Sequence, residues 1–320
     1  MNELPAQGDG LAYVLALNCL RERRGRSDEW STTIPGAGAV LDALEAVLQR
    51  ELGRAIGHDE RGAENYLAAA RRLNSVFDID NVVGFSGAWP LWRDAARVLR
   101  AEIMPSPLDQ DLFNGCVPES PGYFEGIRRL AERNSAEVIE GLRSRGYTWL
   151  GETGLDVGAG PLPYLGCLAD LGMISNVIAV DLDFAARHAV SARAGIRWVT
   201  QDARHLHLER SLSTDVLWVG NLLHHYSPAE NLAILRHAAP YLSSNGLIVI
   251  HDYPLRLAGK TQLYAAILGF HFLLTTGGSR TFTEAEITAL VHRAIPDTAH
   301  VESIPLRASA LLIYRRAAGG

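Results

Sequence analysis

The sequence predicts an α/β fold in which a helical N-terminal region precedes a mostly parallel sheet with an antiparallel edge strand. Three observations support this prediction. Apolar residues in the first part follow helical spacing, short apolar runs alternate with helical stretches after residue 151, and two neighbouring apolar runs end the chain. Alternating strands and helices are typical of a parallel sheet covered on both faces. We therefore expect a helical region over residues 1–120 and an α/β domain over residues 121–320.

The N-terminal region is predicted to be helical because its apolar residues recur every three or four positions. Residues 40–52, 64–73 and 91–99 show this pattern, and loops rich in Gly, Pro, Asn and Asp separate them. A longer helix is expected over residues 123–145, ending near Gly146.

The predicted sheet consists of five short apolar runs followed by a final pair. The five runs cover residues 154–157, 177–180, 196–199, 216–219 and 247–250, and helices are expected between them over residues 162–171, 184–194 and 229–242. The final runs, residues 301–306 and 309–314, are predicted to pair antiparallel at the sheet edge. Before them, Thr283 and Glu286 have the spacing of a capping box, which predicts a helix beginning there.

Composition and charge narrow the classes of function. The net charge is −6, long basic runs are absent and Lys260 is the only lysine, so we expect neither a nucleic-acid partner nor a catalytic lysine. The three cysteines form neither a CxxC pair nor a disulfide framework, which fits a reducing compartment. The N-terminus lacks the form of a signal peptide and no apolar run is long enough to span a bilayer. We expect a cytoplasmic protein without a membrane partner.

The glycine-rich segment GLDVGAG at residues 154–160 is the strongest signal of chemistry. An apolar strand runs into a turn with two closely spaced glycines, and a helix is expected to follow. Glycines permit a sharp turn and a close approach of the backbone to a ligand, and the start of a helix favours a polar or negatively charged group. The same pattern also occurs at tight turns that bind nothing.

Two acids stand at the ends of the next two strands. Asp181 directly follows the run 177–180, about twenty residues after the glycines, where an acid can accept both hydroxyls of a ribose. Asp202 follows the run 196–199, where an acid can take the amino group of an adenine. The plainer interpretations are a helix N-cap for Asp181 and a surface turn for Asp202.

Taken together, these residues resemble the class I S-adenosylmethionine (SAM)-dependent methyltransferases, in particular their small-molecule O-methyltransferase group. The resemblance implies a Rossmann-like domain, SAM as the cofactor and a small-molecule acceptor, in small-molecule biosynthesis. It implies that Asp156, Gly158 and Gly160 flank the methionine part of SAM. The other cofactor contacts that it implies are Asp181 at the ribose, Asp202 with Ala203 at the adenine, and Asn221 after the fourth strand.

A second informative block covers residues 215–227, a predicted strand and the loop that follows it. Open α/β sheets place their ligands at the carboxyl ends of strands. Small-molecule O-methyltransferases carry a similar loop in which a histidine precedes an acid and an aromatic residue. By this resemblance His224 is the general base, His225 stands in place of the acid and Tyr226 is the aromatic residue. A histidine suits the deprotonation of an acceptor near neutral pH.

The next strand ends in two further polar residues at the same edge of the sheet. His251 and Asp252 follow the run 247–250, and we expect them and His225 to assist His224. The plainer interpretation of His224 and His225 is that the two imidazoles cap or pack around the start of the following helix.

The acceptor site is predicted from the helical segments. Trp89, Tyr123, Phe124 and His271 are the candidate acceptor contacts, although aromatic residues in helices more often belong to the core. The same segments suggest a homodimer or a partner subunit. We expect no metal, because the histidines do not form a clear ligand set.

Other functions stay open at this point. The string GPLP at residues 160–163 also resembles nicotianamine synthases, which transfer the aminocarboxypropyl group of SAM. Internal ring closure of SAM is a related alternative, and a non-catalytic member of the fold that acts as a scaffold is another. A dinucleotide site is disfavoured because the third glycine of the usual motif is missing.

Overall fold

The structure is a computed structural model. It describes residues 10–25, 34, 36–52, 70–71, 79, 82–83, 87–103, 121–161, 164–182, 195–257, 260–276 and 278–318. The chain divides into two compact units. The first contains residues 1–114 and 258–281, and the second contains residues 115–257 and 282–320.

Helices and strands are numbered here in chain order over the described residues. The helices are α1 (Leu11–Gly25), α2 (Ala37–Leu52), α3 (Trp89–Arg93), α4 (Ala95–Leu99), α5 (Pro121–Ser144), α6 (Tyr164–Ala169), α7 (Pro228–Ala238), α8 (Leu263–Thr276) and α9 (Glu284–Ala294). The strands are β1 (Gly151–Val157), β2 (Ile174–Asp181), β3 (Ile196–Thr200), β4 (Thr214–Gly220), β5 (Leu242–Asp252), β6 (Arg256–Leu257), β7 (Lys260–Thr261), β8 (Thr298–Pro305) and β9 (Ala310–Arg316).

The first unit is mainly helical in its described part, and α8 lies at its centre. Residues 263–275 of α8 are all buried, and the helix packs against α2. Trp92 of α3 is also buried and meets the ring of Phe270 edge-on, with 5.0 Å between the ring centroids. A uniformly apolar helix is stable in water only when it is covered on all sides, which explains why this late segment groups with the N-terminal helices.

The second unit is built on a seven-stranded sheet with the order β3-β2-β1-β4-β5-β9-β8. Strands β1 to β5 are parallel to one another, whereas β9 runs antiparallel to both β5 and β8. This confirms the predicted mostly parallel sheet with its antiparallel pair at one edge.

The sheet is covered on both faces. Helices α5 and α6 pack on the face that carries Val216 and Trp218 of β4. Because successive residues of a strand point to opposite faces, the burial of Leu217 and Val219 shows that the other face is covered as well.

Two helices of this unit begin with complete capping boxes. Thr283 and Glu286 form the predicted one at α9, and Ser227 with Glu230 forms a second at α7. Each pairs a side chain with the free amide groups of the first turn, so each fixes where its helix starts. The second box sets the end of the loop that carries His224.

The other predicted elements agree with the structure to within a few residues wherever it describes them. The helix expected over residues 184–194 lies outside the described residues, as does most of the segment 64–73. The predicted boundary near residue 120 did not anticipate that residues 258–281 group with the first unit. Of the helices in the described ranges, none has both the length and the apolar character needed to cross a membrane.

Candidate active site

The order of the strands creates a reversal in the winding of the sheet beside β1 and β4. Strand β1 pairs in parallel with β2 on one side and with β4 on the other. In open α/β sheets, ligands bind at such a reversal, beyond the carboxyl ends of the strands. The predicted cofactor and catalytic residues lie at the carboxyl ends of β1 to β5 or just after them, so the sheet brings them to one edge.

The glycine turn after β1 is tied to β2. Gly158 and Gly160 have φ angles of 71° and 63°, a conformation that side chains disfavour. A Cβ atom at position 158 would lie only 2.5 Å from Leu222 Cδ1, whereas one at position 160 would meet no atom of the described residues within 4 Å. The amide groups of Gly158 and Ala159 donate to the Val180 carbonyl over 2.9 and 3.1 Å. The turn therefore lies close to β2 and leaves room beside Gly160.

Asp181, at the end of β2, is held by backbone amides. Its Oδ2 accepts from the Gly160 amide at 2.6 Å and its Oδ1 from the Leu182 amide at 2.6 Å. Burial raises the pKa of this carboxyl to about 6, although the two hydrogen bonds act in the opposite direction. Each carboxylate oxygen has a second lone pair, so the group keeps acceptor capacity for a ligand.

Asp156, inside β1, is a buried carboxyl with one unsatisfied oxygen. The Leu165 amide donates to its Oδ2 at 3.2 Å, whereas its Oδ1 has no hydrogen-bond donor among the described residues. Burial is the main reason that its pKa rises to about 7; the charge of Asp181 adds to the rise, and the amides of Leu165 and Tyr164 oppose it. A buried acceptor without a donor is costly, and a ligand that carries a donor would satisfy it.

Asn221, directly after β4, presents a second such acceptor. Its φ of 52° is left-handed, and its amide donates to the His251 carbonyl at 2.7 Å. Its side-chain Nδ2 donates to the Tyr164 hydroxyl at 2.8 Å, and its buried Oδ1 meets no donor in the described part of the chain.

Tyr164 is a residue of this site that the sequence reasoning missed. It is the first residue of α6, its side chain is 5% exposed, and its ring stacks on Trp218 with 6.0 Å between centroids. A tyrosine in an apolar helix normally indicates a core position. Only its place directly after the glycine turn could have drawn attention to it.

Asp202, after β3, is engaged by an arginine. Arg204 donates to both oxygens of Asp202, with a shortest distance of 2.7 Å, and also to Glu230 of the α7 cap at 3.1 Å. Burial favours the neutral carboxyl of Asp202, but the Arg204 side chain and amide outweigh it and hold the pKa below its usual value. The pair connects the end of β3 to the start of α7. Ala203 is buried beside it.

His224 and Asp252 form a buried pair. His224 lies in a 3₁₀ turn over residues 223–225, and its Nδ1 is 2.6 Å from Oδ1 of Asp252, the last residue of β5. Burial would raise the pKa of Asp252, yet the nearby His224 and the Tyr253 amide bring it below its ordinary value. An ionised carboxylate at this position orients the imidazole.

The two other predicted assistants lie in different surroundings. His251 is fully buried, its Nε2 lies 3.0 Å from Ser309 Oγ, and burial lowers its pKa to about 4. Its ring meets Tyr164 edge-on at 4.8 Å. His225 is partly buried, with its ring centroid 4.4 Å from that of His224. Among the three predicted assistants, Asp252 hydrogen-bonds to His224.

Comparison with known proteins identifies the central segment. Residues 155–250, which contain the glycine turn and the His224 loop, match a family model described as a methyltransferase domain. This segment is therefore similar to a methyltransferase domain. No curated protein sequence matches the chain.

Solved structures with the same fold extend over nearly the whole chain. An O-methyltransferase family 2 protein from Planctomyces limnophilus, solved in complex with apigenin, is 13% identical with a TM-score of 0.59 and covers 98% of each chain. The mitomycin 7-O-methyltransferase MmcR is 15% identical with a TM-score of 0.58, covering 97% of this chain and 95% of its own. CalO1, a methyltransferase in calicheamicin biosynthesis solved with SAH bound, is 18% identical with a TM-score of 0.58, covering 96% and 93%. The chain has the fold of the class I SAM-dependent methyltransferases.

The four predicted acceptor contacts all lie outside residues 155–250. His271 of α8 is 2% exposed, and its Nδ1 accepts from Trp92 Nε1 at 3.1 Å, so within its own unit it is a hydrogen-bonded core residue. Trp89 is partly buried in α3. Tyr123 and Phe124 lie in α5, but their side chains are outside the described part of the structure. Their role as acceptor contacts stays a prediction.

The described residues contain no group of three or more His, Cys, Asp or Glu side chains arranged to hold a metal ion. His205 and His207, which alternate after β3, are both exposed.

Proposed function

We propose that the chain binds SAM in the crevice beside β1 and β4 and transfers its methyl group to a hydroxyl group of a small molecule, with His224 as the general base. The observation that carries this proposal is the His224–Asp252 pair. His224 lies within residues 155–250, which match the methyltransferase domain model, and Asp252 is the last residue of β5, the strand in which this match ends. The names of MmcR and of the apigenin complex support an oxygen acceptor on a small molecule.

The residues at the crevice fit SAM. Its methionine part carries an ammonium group with three N–H donors, and Asp156 Oδ1 and Asn221 Oδ1 are buried acceptors that lack donors among the described residues. Asp181 keeps lone pairs for the ribose hydroxyls. The left-handed backbone at Gly160 and the room beside it permit a close approach. The structure with bound SAH in this fold group, CalO1, supports the same cofactor.

When bound, SAM supplies a methyl carbon that its sulfonium makes electrophilic. His224 donates its Nδ1–H to Asp252, which assigns the role of base to Nε2. Nε2 would take the proton of the acceptor hydroxyl, and bound SAM would supply the methyl group and leave as SAH. Asp252 then stabilises the imidazolium until the proton passes to water. Positioning supplies most of the acceleration, and the base adds roughly a hundredfold to ten-thousandfold.

Two measurements test this proposal. Titration calorimetry with SAM and SAH should show binding, and its absence at millimolar concentrations would disprove the cofactor assignment. Incubation with methyl-labelled SAM and a panel of hydroxylated aromatic compounds, including apigenin, should yield SAH and a labelled ether. Mass spectrometry that instead finds methylthioadenosine would show that another part of SAM is transferred.

A further inference from the structure

We propose that Tyr164 is a positioning residue that turns the Asn221 amide so that its oxygen receives the ammonium group of the cofactor. This inference rests on the proposed SAM site. It adds a residue outside the glycine motif and a reason for the orientation of Asn221.

The start of α6 contacts both residues that carry these buried acceptors. The Tyr164 hydroxyl accepts from Asn221 Nδ2 at 2.8 Å, and the amide of the next residue, Leu165, donates to Asp156 Oδ2 at 3.2 Å. Strands β1 and β4, which carry or precede these two residues, are neighbours in the sheet. The first two residues of α6 therefore link the ends of two adjacent strands at the point where the winding reverses.

The contact matters because the two sides of an amide differ. Asn221 has an NH₂ group on one side and a carbonyl oxygen on the other. In the structure the NH₂ group donates to the Tyr164 hydroxyl, so the oxygen faces the opposite side. An amide turned the other way would present N–H groups to an ammonium ion, and the two would repel each other.

The ring of Tyr164 is itself held in place. It stacks on Trp218 and meets His251 edge-on, and the residue is 5% exposed. Tyr164 is therefore fixed by packing before any ligand arrives, which is what a positioning residue requires.

The test is Tyr164→Phe, which removes the hydroxyl and leaves the packed ring. Binding is measured by calorimetry with SAH and with an SAH analogue in which hydrogen replaces the α-amino group. We expect the affinity for SAH to fall about tenfold, because the acceptor for the ammonium loses its fixed orientation. The affinity for the analogue should change less than about twofold, since it has no ammonium to place.

Tyr241→Phe is the matched control. Tyr241 is also a buried tyrosine of the second unit, and its hydroxyl accepts from the Leu208 amide at 2.7 Å. Its replacement removes a buried hydroxyl of the same kind and should leave the affinities for both ligands unchanged.

A second variant keeps the proposal testable if Tyr164→Phe does not fold. Asn221→Gly removes the amide and suits the left-handed φ of 52°. It should weaken the binding of SAH but not of the analogue. In the double variant the loss should equal that of Asn221→Gly alone, because Tyr164 acts through Asn221.

Equal losses for SAH and the analogue in Tyr164→Phe would show a merely structural role and overturn the inference, and so would an unchanged affinity for SAH. Failure of the wild-type chain to bind SAH would instead disprove the proposed function, and the inference with it. The two failures are distinguished because only the second is seen in the wild type.

Discussion

The Nδ1 atom of His224 lies 2.6 Å from Oδ1 of Asp252, although 28 positions separate the two residues in the chain. Both side chains are almost completely buried, at 5% and 4% exposure. The pair joins the turn after β4 to the last residue of β5, so the alignment of two adjacent parallel strands sets its geometry.

Replacing His224 by alanine should lower the rate of methyl transfer about a hundredfold to ten-thousandfold, because the acceptor loses its base. The affinity for SAH should change little, since His224 is not among the proposed cofactor contacts. Steady-state kinetics and calorimetry measure the two effects. Near-full activity in this variant would place the base elsewhere, and loss of folding or of SAH binding would favour a structural histidine.

Asp252→Asn should also slow methyl transfer, because a neutral amide stabilises the imidazolium less well than a carboxylate and can favour the wrong tautomer. Its rate should lie between those of the wild type and His224→Ala. In the double variant the loss should match that of His224→Ala, as expected if Asp252 acts through His224. Fully additive losses would show that the two residues act independently.

The binding of SAH should strengthen as the pH rises. Burial raises the pKa of Asp156 to about 7 and of Asp181 to about 6, and an ammonium ligand requires an ionised partner. Binding should therefore release protons below about pH 7, which calorimetry in two buffers of different ionisation enthalpy can count. An affinity that does not change with pH over this window would contradict the prediction.

The same two acids should affect the ligand-free protein in the opposite sense. Their folded pKa values lie above the ordinary 3.8, so the folded state holds more protons than the unfolded state between about pH 4 and 7. The contribution of these acids to the free energy of unfolding therefore falls as the pH rises through this window. Urea unfolding of the wild type and of Asp156→Asn at several pH values measures how much of this pH dependence comes from Asp156, the acid with the larger pKa shift.

His251 should lower stability at acid pH. Burial lowers its pKa from 6.5 to about 4, so the unfolded state binds more protons over this interval. Stability that depends on His251 is present above about pH 6.5 and is lost as the pH falls toward 4, by at most on the order of 3 kcal/mol. His251→Asn should reduce this pH slope in urea unfolding, whereas replacement of the exposed His237 should not. An unchanged slope in His251→Asn would show that another group titrates.

The two capping boxes offer a matched pair. Ser227→Ala and Thr283→Ala should each lower the free energy of unfolding by about 1 kcal/mol, because each removes the same kind of cap. Ser227 ends the loop that carries His224, so only its replacement should also reduce turnover. Equal effects on turnover would show that the start of α7 has no special role in catalysis.

Local patterns made the sheet and the α9 cap predictable from the sequence. The glycine turn, the acids at strand ends and the spacing of Thr283 and Glu286 each depend on a few neighbouring residues. Contacts between residues far apart in the chain were harder to predict. His225, His251 and Asp252 were equal candidates to assist His224, and the pleat of β5 decides between two of them, because consecutive side chains point to opposite faces.

Tyr164 and Arg204 show the other limit of the sequence. Both are ordinary residues of short helical turns, and their partners Asn221, Glu230 and Asp202 matter only once the strands are aligned. No periodicity or motif marks such a residue. The sequence did not predict that residues 258–281 group with the first unit, because a fully apolar helix does not indicate which helices will cover it.

The discontinuous first unit has a practical consequence for anyone who wishes to express the second unit alone. A truncated chain that simply starts near residue 121 would keep α8 without α2, leaving the apolar surface of a helix in water and inviting aggregation. The residues of the second unit on either side of residues 258–281 lie close together, because the Leu255 amide donates to the Phe282 carbonyl at 2.7 Å. A short glycine linker in place of residues 258–281 should therefore close the chain without strain. This shortened protein would allow the affinity of the second unit for the cofactor to be measured without the first unit.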